Sequence, residues 1–273
     1  GLVGSEMCIR DSVKAVDILF SFLICLIATT AGGISGVGGG VIIKPVMDAT
    51  SGLPVATISF LSGCTVLAMS FTSMVRSRGG EIQVEKRRGT PLALGAAVGG
   101  ILGKQIFEIV LQSGGNAVRI AQQVLMILLT LGVLAYTRLR KRIVTKDVRH
   151  PVACVGIGLG LGLLSSFLGI GGGPINLAVL YYFFSMDTKT AALNSLYIIL
   201  YSQAASLLMT LLRGNVPDFA WPMLICMAIG GITGGLIGSS LSRRMDNAGV
   251  DKLFLCLLIA ITGISIYNLA GCF

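Results

Sequence analysis

The sequence predicts an all-α polytopic membrane protein. It is read as two inverted-topology repeats of about five helical segments each, with a short broken or re-entrant helix after a glycine-rich motif in each half. Three observations carry this. The 273 residues are 54% hydrophobic and 12% charged, where soluble chains carry about 25% charged residues. Long charge-free runs reach the ~20 residues that cross roughly 30 Å of hydrocarbon as helix. The chain also matches itself at a nearly constant offset.

The elements follow in order. Residues 1–13 open with GLVGSEMCIRDS, which looks like a translated library adaptor, so this tail is set apart as non-native. The first repeat, 14–140, contains helices at about 16–33, 54–75, 91–111 and 119–137, with a short helix at about 37–49. Residues 141–150 form a basic cytoplasmic linker. The second repeat, 151–273, has helices at about 151–168, 190–212, 219–241 and 253–270, with a short one at about 171–185. The uncharged run from Pro151 to Met186 is too long for one crossing, so it must turn back inside the membrane.

A shift of 133 positions pairs Gly36, Gly38, Gly39 and Gly40 with Gly169, Gly171, Gly172 and Gly173. It also pairs Ser62 with Ser195 and Ser73 with Ser206. A shift of 131 pairs Pro91 with Pro222 and Gly99 with Gly230. Five crossings per half is an odd number, so the halves must be inverted. Fifteen of the 21 Lys and Arg fall in the loops 76–90, 138–150, 186–189 and 242–252. The positive-inside rule puts those loops in the cytoplasm and both termini outside. This count assumes that the two short segments cross; if neither does, the N-terminal side flips.

The glycine triplets raise the functional question. Three consecutive glycines make no packing face, and each weakens a helix by ~1 kcal/mol relative to alanine. Gly95, Gly99, Gly103 and Gly230, Gly234, Gly238 are different, because spacing by four suits close helix packing. Broken helices at matching places in two repeats point to a transport site. The N–H groups of Gly38, Gly39 and Gly40, and of Gly171, Gly172 and Gly173, would open the short helices and favour an anion.

Lys44 follows the first break by four residues. Two readings stand: a cation beside the break, or a side chain that snorkels to an interface. Leu177 holds the matching place in the second half, so any role for Lys44 breaks the symmetry. Ser62, Asn194, Ser195 and Tyr197 complete the candidate set, with Tyr201 and Gln203 continuing a polar strip.

Other chemistries find little support. His150 stands alone at the end of a basic loop, and the seven cysteines are scattered without a CxxC or Cys/His cluster. No cofactor or metal is implied, and an intramembrane enzyme lacks a visible nucleophile and base. GGILGKQ, Gly99 to Gln105, has the wrong spacing for a phosphate-binding loop. The excess of basic residues sits in loops and marks topology, with the lipid bilayer and not nucleic acid as partner.

GVGGGVIIKP, Gly36 to Pro45, resembles the first motif of the TauE/SafE sulfite exporter family, also called the TSUP transporters. GIGGGP, Gly169 to Pro174, resembles the second, although its proline follows the glycines directly and Ala178 stands where Pro45 is matched. The resemblance covers about 14–273. It implies movement of small organic or sulfur-containing anions such as sulfite, sulfoacetate or sulfonates, at the multi-pass level of a bacterial inner membrane. An anion channel is the alternative. Export down an inside-negative potential gains ~2.3 kcal/mol per charge per 100 mV. Asp17, Asp48 and Asp187 are read as interfacial and Glu108 as near an outer helix end, so no buried carboxylate relay for protons is expected.

Overall fold

The computed structural model describes residues 15–78, 82–170 and 172–271. The 1–13 tail and Gly171 therefore lie outside the described residues. The described fold is helical throughout: α1 Ala15–Ser35, α2 Gly40–Thr50, α3 Val55–Ser77, α4 Lys86–Leu139, α5 Pro151–Leu168, α6 Pro174–Phe184, α7 Thr188–Leu212, α8 Trp221–Arg244 and α9 Asn247–Ala270, with a 3-10 turn at Arg140–Arg142. Eight helical stretches are long and apolar enough to cross a membrane.

Prolines stand where helices begin. Pro54 precedes α3, and Pro151, Pro174 and Pro222 occupy the first turns of α5, α6 and α8. Proline suits that place because the first N–H groups have no intrahelical partner and its φ is already helical. Asp246 caps α9, its carboxylate accepting from the Gly249 N–H at 2.9 Å.

The expected helices at 91–111 and 119–137 are continuous as helix α4, 54 residues long. Straight, it would measure ~81 Å. Yet Arg88 donates to the Phe184 carbonyl at 3.4 Å and Arg140 to the Met186 carbonyl at 3.4 Å, so both ends of α4 reach one corner. The helix must double back, and its two apolar parts, Lys86–Val110 and Ile120–Leu139, make separate crossings.

The basic loops gather at one end of the bundle. Arg243 donates to the Arg76 carbonyl. Arg88 pairs with Asp147 at 2.8 Å, and Thr188 donates to Asp251 at 2.9 Å. The positive-inside rule would turn this basic end toward the cytoplasm. Thr57, which donates to the Asp218 carbonyl, and Asn215, which donates to Glu108, lie at the other end.

Close packing holds the long helices together. A Cβ on Gly95, Gly99 or Gly103 would run into the carbonyls of Val155, Leu159 and Leu163 on α5, and one on Gly158 or Gly162 into those of Leu92 and Ala96 on α4. Gly230, Gly234 and Gly238 of α8 lie in the same way on Cys25, Thr29 and Gly33 of α1. The constant offset in each pair means parallel helices. The four-residue glycine spacing is thus used within one chain, where without a strong hydrophobic drive van der Waals contact must hold helices together. GGILGKQ is part of this packed face.

The short helices α2 and α6 start three residues later than the sequence suggests, at Gly40 and Pro174. Each returns toward the end at which its preceding long helix began. Met47 and Thr50 of α2, with Ser51 just after it, line a cleft with Asp17 and Ser21 of early α1. At the end of α6, the Lys146 and Val148 N–H groups of the basic linker donate to Tyr182 and Phe183 at 2.7 and 2.9 Å. His150 is exposed just before α5. Cys25 and Cys154 are buried, free thiols in the apolar core, whereas Cys256 is exposed.

Candidate functional site

The two glycine breaks meet. The α-carbon of Gly40 packs so tightly on the Ile170 carbonyl that a Cβ there would overlap it. Gly38 has φ +84° and Gly172 has φ +143°, both in the region that side chains disfavour, so glycine is needed at these two turns. Gly39 lies against Thr29, and Gly173 is extended, at φ 169°. Among the described residues, the N–H groups of Gly38, Gly39, Gly40 and Val41 have no hydrogen-bond acceptor, as expected where a helix opens without a capping side chain.

One face of α7 passes both breaks. Ser195 donates to the Gly36 carbonyl at 2.6 Å. Four residues on, Ile199 fills the space between the breaks: its Cδ1 is 3.1 Å from the place of a Cβ on Gly38, and its side chain occupies the place of one on Gly172. Ser206, further along this face, shares a 2.9 Å bond with Ser166 of α5. From the other side, Ser59 of α3 lies 2.6 Å from the Cβ place of Gly169, and Val66 packs beside Gly40. Ser62 stands between them at helical spacing, fully buried. The hydroxyls of Ser59, Ser62 and Ser202 have no partner among the described residues.

Lys44 does not snorkel. It is 3% exposed and its ammonium lies 3.3 Å from Asp48 Oδ2 and 3.0 Å from Gln122 Oε1. Gln122 in turn donates to the Phe167 carbonyl at 2.7 Å, just before the second break. The Lys44 Cε is 3.2 Å from the Cβ place of Gly169. Asp48 was expected at the interface. Instead its side chain is 2% exposed, because Lys44 one turn earlier and Gln123, which donates to Oδ2 at 3.4 Å, provide the partners that a buried carboxylate needs.

Two of the sequence candidates point elsewhere. Asn194 accepts from the Glu85 N–H at 3.3 Å and donates to the Thr190 carbonyl, so its side chain serves the α4–α7 junction. Tyr197 donates to Tyr201 at 3.3 Å on the outward side of α7. Gln203 does not continue that strip: it faces Gly63 of α3. Asp48, Gln122, Gln123, Ser59 and Ile199, which the sequence does not single out, also lie around the breaks. The Lys44/Asp48 spacing of four was the available signal for the first, and the Ser59/Ser62 spacing of three for Ser59.

Two cavities approach the breaks from opposite ends. A vestibule of about 410 Å³ at the basic end is lined by Gly33, Ala192, Leu196, Lys189 and Arg243. It stops at Ala192, whose Cβ lies 2.6 Å from the Cβ place of Gly36. A second cavity, of about 440 Å³, is lined by Asp48, Gln123, Tyr267 and Asn268. Between them lie Ile199, the glycine turns and the Lys44 network.

The sulfite exporter TauE/SafE family matches residues 21–265, a span that includes both breaks, both cavities and the Lys44 network. The chain belongs to this family. The TauE/SafE chain is also 24% identical over 259 residues to "Probable membrane transporter protein YunE" of Bacillus subtilis (strain 168), covering 86% of this chain and 92% of that protein. No solved structure matches it. Eight candidate spans and these relationships make it a multi-pass protein of a membrane transporter family.

Proposed function

We propose that this protein exports small organic or sulfur-containing anions, such as sulfite, sulfoacetate or sulfonates, by alternating access between two inverted repeats, 14–140 and 151–273. The observation that carries the reading is the pair of cavities on opposite ends, closed from each other by the meeting glycine breaks. An anion entering from the cytoplasm would meet Lys189 and Arg243 in a vestibule of about 410 Å³, within the roughly 300–1,000 Å³ of small-molecule sites. Beyond it lie the unpaired N–H groups at the start of α2, the Ser59 and Ser62 hydroxyls and the Lys44 ammonium. Helix openings of this kind favour anions.

The packed centre supports alternation over a channel. Ile199 and Val66 fill the space at the breaks, and alternation would move the hairpins that carry the breaks against α3 and α7. Export is the direction in the family description. Efflux from proteoliposomes loaded with sulfite, sulfoacetate or a carboxylate of similar size tests the proposal. Saturable efflux of the sulfur anions is expected. Efflux no faster than from protein-free liposomes for every anion would sink it, and a rate that rises linearly with concentration would favour a channel.

A further inference from the structure

Asp48 and Gln123 pair in an unusual way. Gln123 Nε2 donates to Asp48 Oδ2 at 3.4 Å, which sets the amide beside the carboxylate. The two oxygens that remain, Asp48 Oδ1 and Gln123 Oε1, are both buried acceptors without a donor among the described residues. The Asp48 side chain is 2% exposed and Gln123 is 4% exposed, and both line the outer cavity with Tyr267 and Asn268. A single proton on Oδ1 satisfies both at once, because the new O–H can donate to Oε1 while Nε2 keeps donating to Oδ2. An acid and an amide then bond at two points.

The resting charge is balanced by Lys44, 3.3 Å away. That same ammonium stands between Asp48 and the second break, with its Cε 3.2 Å from the Cβ place of Gly169. If the anion is held at the breaks, as proposed above, Lys44 is the nearest cation that can turn to it. Turning leaves Asp48 buried with its charge uncompensated. Water in the outer cavity can donate to the two oxygens, but it cannot replace the missing positive charge.

We infer that Asp48 is a proton-binding residue that loads when Lys44 turns to the anion, so that each anion moves with one proton in the same direction. The inference rests on the transport reading. The charges close: Lys44⁺ with Asp48⁻ is neutral, and Lys44⁺ with a monovalent anion and protonated Asp48 is neutral too. Only an O–H bond forms and breaks, with the proton taken from solvent on the side where the anion enters and released where it leaves. Movement of a monovalent anion would then be electroneutral. The anion's own gradient, set against that of protons, would then govern the direction, in place of the potential-driven export that the sequence suggests.

The neighbouring elements add few titratable groups. Asp17 of α1 lines the cleft beside Met47 and Thr50, Cys25 of α1 packs with Ile43 and Met47 on another side of α2, and Tyr267 of α9 lines the outer cavity. Asp48 is the one that faces both Lys44 and an unpaired acceptor.

The test uses the full chain in proteoliposomes with an entrapped pH dye and methanesulfonate, a monovalent anion that does not itself titrate near neutrality. Efflux should raise the internal pH by one proton per anion, and its rate should ignore a potential imposed with potassium and valinomycin. Asp48→Asn should abolish the proton signal and make the flux respond to potential. Gln123→Met, which removes the shared oxygen and the Nε2 donor together, should keep the coupling but move the pH profile of flux; an unmoved profile would overturn the inference. So would wild-type flux without proton movement, which leaves the transport reading standing and decides the matter even if Asp48→Asn fails to fold. No flux of methanesulfonate, sulfite or sulfoacetate would overturn both.

Discussion

Gly40 of the first glycine break lies with its α-carbon on the Ile170 carbonyl of the second. One residue from each half of the chain thus brings the two breaks together, and no side chain fits between them. Replacement of Gly40 or Gly172 by valine should leave the protein in the membrane but abolish anion flux, because a branched side chain would have to displace backbone at Gly40, and Ile199 at a φ of +143° at Gly172. Overpacking of this kind costs about 1–3 kcal/mol in stability. Gly39→Val should be milder, since the atom nearest its Cβ is the Thr29 methyl, 2.6 Å away. Membrane yield and proteoliposome flux, measured together, check the order; Gly40→Val with full flux would be incompatible with it.

Ile199 fills the space beside both glycine breaks. Shortening it to alanine removes the atoms that stand beside both Gly38 and Gly172. In soluble cores such a truncation costs about 2–5 kcal/mol. Here it should also open a leak: sulfite efflux from Ile199→Ala proteoliposomes is expected to be faster and to lose saturation. A saturation curve superimposable on that of the wild type would show that Ile199 does not close the path.

Lys44 and Asp48 should behave as a unit. Lys44→Leu, which copies Leu177 of the second half, leaves a buried carboxylate without its cation, and breaking such a pair costs about 3–5 kcal/mol. The double variant Lys44→Leu/Asp48→Leu removes both charges and should recover much of that loss. Thermal unfolding of the four proteins in detergent gives the coupling directly. Additive losses would mean that the pair is not linked in the folded state.

At the basic end, the hydrogen bond from Arg149 holds the Asp147 carboxyl below the usual carboxylate range, with Arg88 adding to the effect. A carboxylate whose folded value is depressed adds stability above its unfolded value, near 4, and that contribution is lost as pH falls through the folded value. Asp147→Asn should therefore lower the melting temperature at pH 7 and have no effect once the wild-type carboxyl is protonated. An equal difference at pH 7 and pH 3 would assign the effect to packing.

Much of the architecture is legible in the sequence because a bilayer imposes simple rules. Charge-free runs of fixed length, basic loops and glycines spaced by four each have one main physical cause, and α5, expected at about 151–168, is found at Pro151–Leu168. The turning point of α4 is legible as well, since the two helices expected at about 91–111 and 119–137 leave Ser113-Gly114-Gly115-Asn116 between them, and the contacts at both ends of α4 require the chain to fold back. Within the site, Gly38 and Gly172 announce themselves by composition. Asn194 and Tyr197 do not differ in composition from pore-lining residues, and only the rotation of α7, set by its packing, directs them to Glu85 and Tyr201. Asp48 escapes for a related reason. A carboxylate near the end of a short helix is ordinarily wet, and its burial depends on Gln123, 75 residues away.

The run GIGLGLG, Gly156 to Gly162, contains its own control. All four glycines are in α5, yet Gly158 and Gly162 press on the Leu92 and Ala96 carbonyls, while Gly156 and Gly160 have no heavy atom within 4 Å of their Cβ places. Alanine at Gly158 or Gly162 must push α5 away from α4, at a cost of about 1–3 kcal/mol. Alanine at Gly156 or Gly160 meets open space and gains up to about 1 kcal/mol from helix propensity. Thermal stability of the four single variants in detergent should therefore alternate along the helix, lower at 158 and 162 and equal or higher at 156 and 160. Uniform destabilisation would mean that the lipid-facing glycines also serve a partner surface, and uniform stabilisation would contradict the close approach of α4 and α5.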